Sequence, residues 1–452
     1  MKKSLLAVAA MGAFATAAQA QSSVTVYGIL DVGYIGSNQI LAANSANAST
    51  GQAITKTTTG GIGSGAESTS RLGFRGTEDL GGGSSAFFTL EVAVGVNDSN
   101  ALGSNGSSMA YNGTGVANAN RQTFVGLKKN GLGQASVGTQ YTPLHTNVGM
   151  TSANGQNNIM GDMIYTAGTV QSYSTTAGAI NSPSASPSTA LASSSSSGYT
   201  VRTGNMLLLQ TEKMAGITGQ AFVVANGMNN TQGTTTVGTV ENGGSNNRNG
   251  YGGALNYSAG KLVAAANYQT FKAINPYGTA DATCSASTYG VASTNGCTGS
   301  SGAAAAFAST AQSGLNIQDT QYYVGAGYDF GILKAYAQYI NRKYTSQVNP
   351  AWTGSRSAQQ IGVKGNITPT IDAFASIGNG SYTGIQSAST SVPGKQNIVG
   401  YQLGSNYYLS KRTNLYAIFG GYGASVSSSG TGTFANNAYN GNNYAVGLRH
   451  TF

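Results

Sequence analysis

Side chains that make or break bonds work in partnership, and this sequence offers few partners. Its only histidines are His145 and His450, so a hydrolase built on a nucleophile and a positioned base would have to use one of them. His145 enters a long connection after a strand-like segment, and His450 stands near the C-terminus on the apolar side of its segment. His145 reads as a structural or solvated loop residue and His450 as an interface residue. No group of His, Cys, Asp and Glu has metal-ligand spacing. Gly81-Gly82-Gly83 precedes no helix, so it reads as a turn and not as a phosphate cradle. The chain does offer fixed charge. Arg71 and Arg75 stand four residues apart, and residues so spaced on a strand share a face. Fixed cations steer ions without any reaction, and no cofactor is implied.

The framework that must position these charges reads as exported. Met1-Lys2-Lys3, an apolar run from Leu5 to Ala18 and the close Ala18-Gln19-Ala20 predict a cleavable signal peptide over 1–20 and one mature domain over 21–452. Loss of Lys2 and Lys3 lowers the formal charge from +9 to +7. In an exported chain Cys284 and Cys297, set in a Gly/Ser/Ala/Thr stretch, read as a disulfide closing a short surface loop. Only 8% of the residues are charged and 66 are Gly, whereas an ordinary soluble domain is about a quarter charged. No later stretch approaches the roughly 20 apolar residues of a membrane helix. The basic residues are scattered without an Arg/Lys run, which argues against nucleic acid. Composition leaves a transmembrane barrel, a secreted β-solenoid or a disordered surface protein.

A barrel strand between lipid and water alternates apolar and polar residues over about 10 positions. Val399, Tyr401, Leu403, Tyr407 and Leu409 share a face with Ser405, against Gly400, Gln402, Gly404 and Asn406. Leu333, Ala335, Ala337 and Tyr339 oppose Lys334, Tyr336 and Gln338, and the final segment sets Tyr444, Val446, Leu448, His450 and Phe452 against Gly447, Arg449 and Thr451. The pattern predicts sixteen strands: 23–35, 67–79, 84–96, 120–129, 133–141, 200–213, 216–227, 249–258, 260–272, 319–330, 332–345, 355–366, 369–382, 396–409, 412–424 and 442–452. Every second connection is tight, as at Leu80-Gly81-Gly82-Gly83, Asn130-Gly131-Leu132 and Ser410-Lys411. The others, 36–66, 97–119, 142–199, 228–248, 273–318, 346–354, 383–395 and 425–441, are long and rich in Asn, Gly, Ser, Thr and Ala. Short turns on one rim and long loops on the other mark outer-membrane barrels, and no fixed repeat supports a solenoid. The predicted fold is all-β, a 16-stranded antiparallel transmembrane β-barrel whose lumen is too wide for side chains to fill.

Five runs then carry a resemblance. They are Val24-Thr25-Val26-Tyr27-Gly28-Ile29-Leu30-Asp31, Ser70-Arg71-Leu72-Gly73-Phe74-Arg75-Gly76-Thr77-Glu78-Asp79-Leu80-Gly81, Arg121-Gln122-Thr123-Phe124-Val125-Gly126-Leu127, Tyr408-Leu409-Ser410-Lys411-Arg412-Thr413 and Val446-Gly447-Leu448-Arg449-His450-Thr451-Phe452. In order and spacing the chain resembles the trimeric general porins of Gram-negative outer membranes over essentially its whole mature length. The resemblance implies short periplasmic turns, long extracellular loops and a third loop, here 142–199, folded into the barrel to face a basic wall with acids. Arg71 and Arg121 resemble the wall arginines and Arg202 a third, Arg75 shares the face of Arg71, and Asp162 is the loop's only acid. Phe452 looks like the family's barrel-assembly signal. The implied partners are a homotrimer, outer-membrane lipid, periplasmic chaperones, the barrel-assembly machinery, and small hydrophilic solutes and ions.

Cations facing an acid set up a transverse field that biases which ion passes. With one loop acid the basic side should dominate, so the expected function is a water-filled channel for passive diffusion with weak anion preference. Glu91 and Asp31 fall on lumen faces and would reduce that preference. Two faces break the pattern: the one carrying Arg121 also carries Val125 and Leu127, and that of Arg202 carries Met206 and Leu208. Two other readings fit the same barrel. One is a solute-specific channel using Tyr27, Tyr336 and Tyr408; the other is an adhesin or receptor using the long loops.

Overall fold

The alternation builds one antiparallel sheet closed on itself. The computed structural model describes residues 23–44, 52–96, 120–165, 198–228, 246–274, 317–346, 353–383, 395–428 and 438–452. The signal-peptide segment, Cys284 and Cys297 lie outside these residues. The strands are β1 (Ser23–Asn44), β2 (Gln52–Ser64), β3 (Arg71–Gly81), β4 (Ser84–Ala93), β5 (Asn120–Lys129), β6 (Gly133–Tyr141), β7 (Arg202–Thr211), β8 (Ile217–Met228) and β9 (Asn246–Ala259). They continue as β10 (Leu262–Ile274), β11 (Ile317–Asp329), β12 (Lys334–Ser346), β13 (Thr353–Thr368), β14 (Ile371–Thr383), β15 (Lys395–Tyr408), β16 (Thr413–Ser428) and β17 (Ala438–Thr451). Among the described residues one helix, α1 (Pro143–Met150), lies between β6 and β7.

From β3 to β17 each strand pairs with the next, and β17 returns to β1, Thr451 opposite Ile29 and Ala438 opposite Ala42. Phe452 adds the last rung, exchanging backbone hydrogen bonds of 3.1 Å with Gly28. Closure matters because hydrocarbon offers no partner to an unpaired N–H or C=O.

Seventeen strand segments occupy sixteen positions around the barrel. β1 pairs with β3 over Ser23–Ile29 and with β2 over Val32–Asn44. β2 and β3 are thus the upper and lower parts of one position, separated by residues 65–70. The expectation that 36–66 is a loop is corrected: its two sides are the upward continuation of β1 and the strand β2. The β-branched Thr57, Thr58 and Thr59 favour extended backbone. Polar on both faces, they lack the alternation that marks a strand between lipid and water.

Outward residues follow the predicted alternation. Val399, Tyr401 and Leu403 are exposed on the outside while Gln402 and Asn406 are buried within. Aromatic rings mark both edges of this apolar band: Tyr251, Tyr268 and Tyr322 toward the loops, with centroids 6.3 and 5.1 Å apart, and Tyr328 beside Phe330 at 4.8 Å on the turn side. Such girdles are the interfacial belts of a membrane barrel. The tight turn Gly81-Gly82-Gly83 has φ of +80°, +59° and +73°, the left-handed region that glycine enters without strain.

The main apolar core lies inside the barrel. Leu144, Val148, Met160 and Met163 of the segment after β6 pack against Tyr323, Ile340, Ile398 and Tyr422 of the inner wall. A second inner cluster joins Met206, Phe222, Val224 and Phe271, with Leu208 against it. The lumen face near Arg202 is therefore apolar, which accounts for Met206 and Leu208 sharing its side.

Candidate functional site

Arg71 opens β3, Arg121 is second in β5 and Arg202 opens β7. All three strands run from the loop rim toward the turn rim, so the guanidiniums enter the lumen at similar depth. The direction of Arg121 depends on a one-residue irregularity. Glu91 faces Gln122 while Val92 faces Asn120, which leaves Arg121 as an extra residue without a cross-strand partner. A bulge re-aims the side chain at its site. Val125 and Leu127, each 60% exposed, point to lipid, while Arg121 turns inward.

Glu91 is the acid that meets these cations. Its Oε1 accepts from Arg121 Nε at 2.8 Å and lies 3.9 Å from Arg71 Nη1, and its Oε2 accepts from the Tyr27 hydroxyl at 3.1 Å. Arg121 also donates to the Tyr141 hydroxyl at 2.5 Å, and Arg71 to the Thr69 carbonyl at 2.9 Å. Arg202, opposite Tyr141 in the ladder, stacks on its ring at 5.5 Å. Its Nε and Nη1 are buried without a hydrogen-bond partner. Arg75 stands four residues below Arg71, exposed, its guanidinium 5.3 Å from the Tyr27 ring.

The segment after β6 does fold inward. Thr142 caps α1, its hydroxyl accepting the His145 N–H at 3.3 Å, and Pro143 supplies a first-turn residue with no N–H to satisfy. Beyond the helix the chain is tied across the lumen. Asn147 donates to Asn267 on β10 at 2.8 Å, the Met163 N–H to Gln360 on β13 at 2.7 Å, and the Met160 N–H to Asn443 on β17 at 2.8 Å. Thr151 bonds the Tyr323 hydroxyl, and Arg356 donates to the Met163 carbonyl. Gly161, at φ +102°, lies so close to β15 that a Cβ would overlap the Tyr401 carbonyl oxygen. Residues 142–165 thus pack against the inner wall of β10–β17, while His145 and Tyr165 reach toward the side where Arg71, Arg121 and Arg202 stand.

Asp162 occupies a different place from the one its position suggested. It is 1% exposed. Its Oδ1 accepts the N–H groups of Ile164 and Tyr165 at 2.8 and 2.9 Å, and its Oδ2 accepts from Asn154 at 3.1 Å. Burial pushes this carboxyl up from the usual range, against the lowering effect of those N–H groups and of Arg356. Its hydrogen-bonding capacity serves the loop's own turn, and no contact to Arg71, Arg121 or Arg202 is present among the described residues.

His145 packs among the same cations. Its ring stacks on Tyr141 at 4.5 Å, and its Nδ1 lies 3.1 Å from the Tyr199 hydroxyl and 3.2 Å from Gln156 Nε2. Burial, then the charges of Arg202, Arg121 and Arg71, hold it well below the ordinary imidazole value. Tyr165 and Tyr199 lie 5.9 and 5.8 Å from its ring. His450 is exposed at the turn rim, Nδ1 2.9 Å from the Thr413 hydroxyl. No group of three or more potential metal ligands occurs among the described residues.

Comparison with known proteins bears on the family and the barrel fold. The family described as Gram-negative porin matches residues 7–425. An outer membrane porin protein of Bordetella pertussis is 28% identical over 474 aligned positions, covering 100% of both chains. Outer membrane porin protein 32 of Delftia acidovorans is 37% identical over 171 residues, 37% of this chain and 41% of that one. Among solved structures, the anion-selective porin from Comamonas acidovorans superposes with a TM-score of 0.59 at 20% identity, over 96% of this chain and 100% of that one. The trimer form of OmpT from Vibrio cholerae gives 0.52 at 13% identity, over 95% and 99%. These two share the barrel fold.

Proposed function

Since the chain belongs to the Gram-negative porin family, and so forms an outer-membrane channel for passive diffusion of ions and small hydrophilic solutes, we propose that its arginine wall makes the channel weakly anion-preferring. The observation that carries this reading is the charge ratio at one depth. Arg71 and Arg121 share the Glu91 carboxylate, and Arg202 has two buried donor nitrogens without an acceptor among the described residues. Excess positive charge in a narrow, low-dielectric passage attracts anions and slows cations. Arg75 extends the same face toward the turn rim. The anion selectivity of the Comamonas acidovorans neighbour supports the reading.

The channel unit is a homotrimer in this proposal, in line with the trimeric OmpT neighbour. Residues 1–20 are removed on export, 21–452 form the single barrel domain, Cys284 and Cys297 close a loop, and Phe452 serves recognition by the assembly machinery. Relatives of this kind are channels and not enzymes, and the two histidines add no catalytic arrangement. The test is the reversal potential of the refolded protein in a planar bilayer under a salt gradient. Wild type should favour anions and close in triplets, and Arg71→Ala/Arg121→Ala should shift the reversal potential toward cations. An unchanged potential in that variant would remove the arginine wall from selectivity.

A further inference from the structure

Between β2 and β3 the chain changes level within one barrel position, and residues 65–70 make that crossing. A buried carboxylate holds it. Asp31, on the inner face of β1, is 0% exposed, so the lumen charge that its strand parity suggests is enclosed in protein. Its Oδ2 accepts the N–H groups of Glu67 and Ser68 at 2.9 and 2.6 Å, and its Oδ1 accepts the Tyr416 hydroxyl at 2.6 Å. The backbone of Asp31 takes part as well. Its N–H donates to Ser70 Oγ at 2.9 Å, and its carbonyl accepts the Gly65 N–H at 3.0 Å. Both ends of the crossing are thus tied to one residue of the neighbouring strand.

The crossing in turn touches both sides of the constriction. Arg71 follows it directly. The ion pair of Arg71 with Glu91 is long, 3.9 Å, whereas Arg71 Nε donates to the Thr69 carbonyl at 2.9 Å. The backbone of the crossing therefore sets the aim of this guanidinium more closely than the acid does. On the other side, Asn158 of the inward loop donates its N–H to the Ala66 carbonyl at 2.9 Å and its amide to the Gly65 carbonyl at 2.6 Å. Removing a buried acceptor leaves its donors unpaired, and a backbone segment relieves that penalty by moving. We propose that Asp31 is a positioning residue of the channel, acting through the 65–70 crossing to hold Arg71 at the constriction. This role rests on the arginine wall as the selectivity element proposed above.

The sign of the effect separates positioning from charge. An acid acting by its own field disfavours anions, so its loss would raise anion preference. An acid that aims Arg71 supports anion preference, and its loss lowers it. The experiment is the reversal potential of refolded variants in a planar bilayer under a salt gradient. Asp31→Ala should shift the potential toward cations, by less than Arg71→Ala does, and should add no shift in the Arg71→Ala background. Asp31→Asn keeps an oxygen for the two N–H groups while its amide can donate to the Tyr416 hydroxyl, so it should stay at the wild-type value. Ser70→Ala removes only the hydroxyl that clips the crossing to the Asp31 N–H and leaves every charge in place. It should give a weaker shift toward cations, and it decides the matter if Asp31→Ala does not fold. A shift toward anions in either Asp31 variant, an unchanged potential in Asp31→Ala or Ser70→Ala, or the full Asp31→Ala shift on top of Arg71→Ala would overturn the proposal. Arg71→Ala without effect would overturn the arginine wall and, with it, this role.

Discussion

Two acids that look alike in the sequence do different work in the barrel. Glu91 lies among the guanidiniums, while Asp162 is enclosed by its own turn. Glu91→Gln should therefore raise anion preference in a reversal-potential measurement, because it removes the charge that offsets Arg71 and Arg121. Asp162→Ala should leave selectivity near wild type and instead lower stability by ~1–3 kcal/mol for each buried N–H it orphans, read as an earlier unfolding transition. His145 supplies the pH dependence of the site. Tyr141, Tyr165, Tyr199, Gln156 and the three arginines surround it, and its folded-state value is depressed below the ordinary value of about 6.5. A histidine held neutral by the fold binds fewer protons folded than unfolded. Its contribution is intact above about pH 6.5 and is lost as pH falls from there toward the folded value. Channel noise or thermal unfolding followed from about pH 8 to about pH 4 should show the loss in wild type, and His145→Gln should flatten that part of the profile.

The strands were legible because lipid on one side and water on the other impose a strict alternation. The fifteen segments from β3 to β17 coincide with predicted strands to within a few residues. The upper parts of β1 and the whole of β2 were not legible, since a strand above the membrane has no hydrocarbon face to write into the sequence. Neither was the aim of Arg121, whose parity says lipid; a single extra residue in β5 reverses it, and no residue type announces such a bulge. The identity of Asp162 as an acid was plain, but a carboxylate that caps a turn and one that faces an ion have the same letter. For the inward loop, the glycine that allows its contact is the sensitive point. Gly161→Ala would place a methyl against the Tyr401 carbonyl at a φ that disfavours any side chain. The loop should lift from β15 toward the arginine wall, and bilayer recordings should show a smaller conductance with more frequent closures.

On the scale of the whole barrel, a chain that is only weakly hydrophobic lives in the membrane because the outward residues of its strands are apolar and its backbone ladder closes on itself. The interior is asymmetric. The loop's own small core packs against the wall of β10–β17, where Arg356 meets it, and Arg71, Arg121 and Arg202 stand on β3, β5 and β7. The outer end is built differently again: β1 pairs with β3 below and with β2 above, and that upper ladder ends with Asn44 opposite Gln52. Chain length between Asn44 and Gln52 is consequently uncoupled from barrel geometry, and evolution or an engineer can edit one without disturbing the other. A foreign peptide inserted there should be carried to the cell exterior on an intact pore, accessible to antibody on whole cells and without effect on conductance in the bilayer.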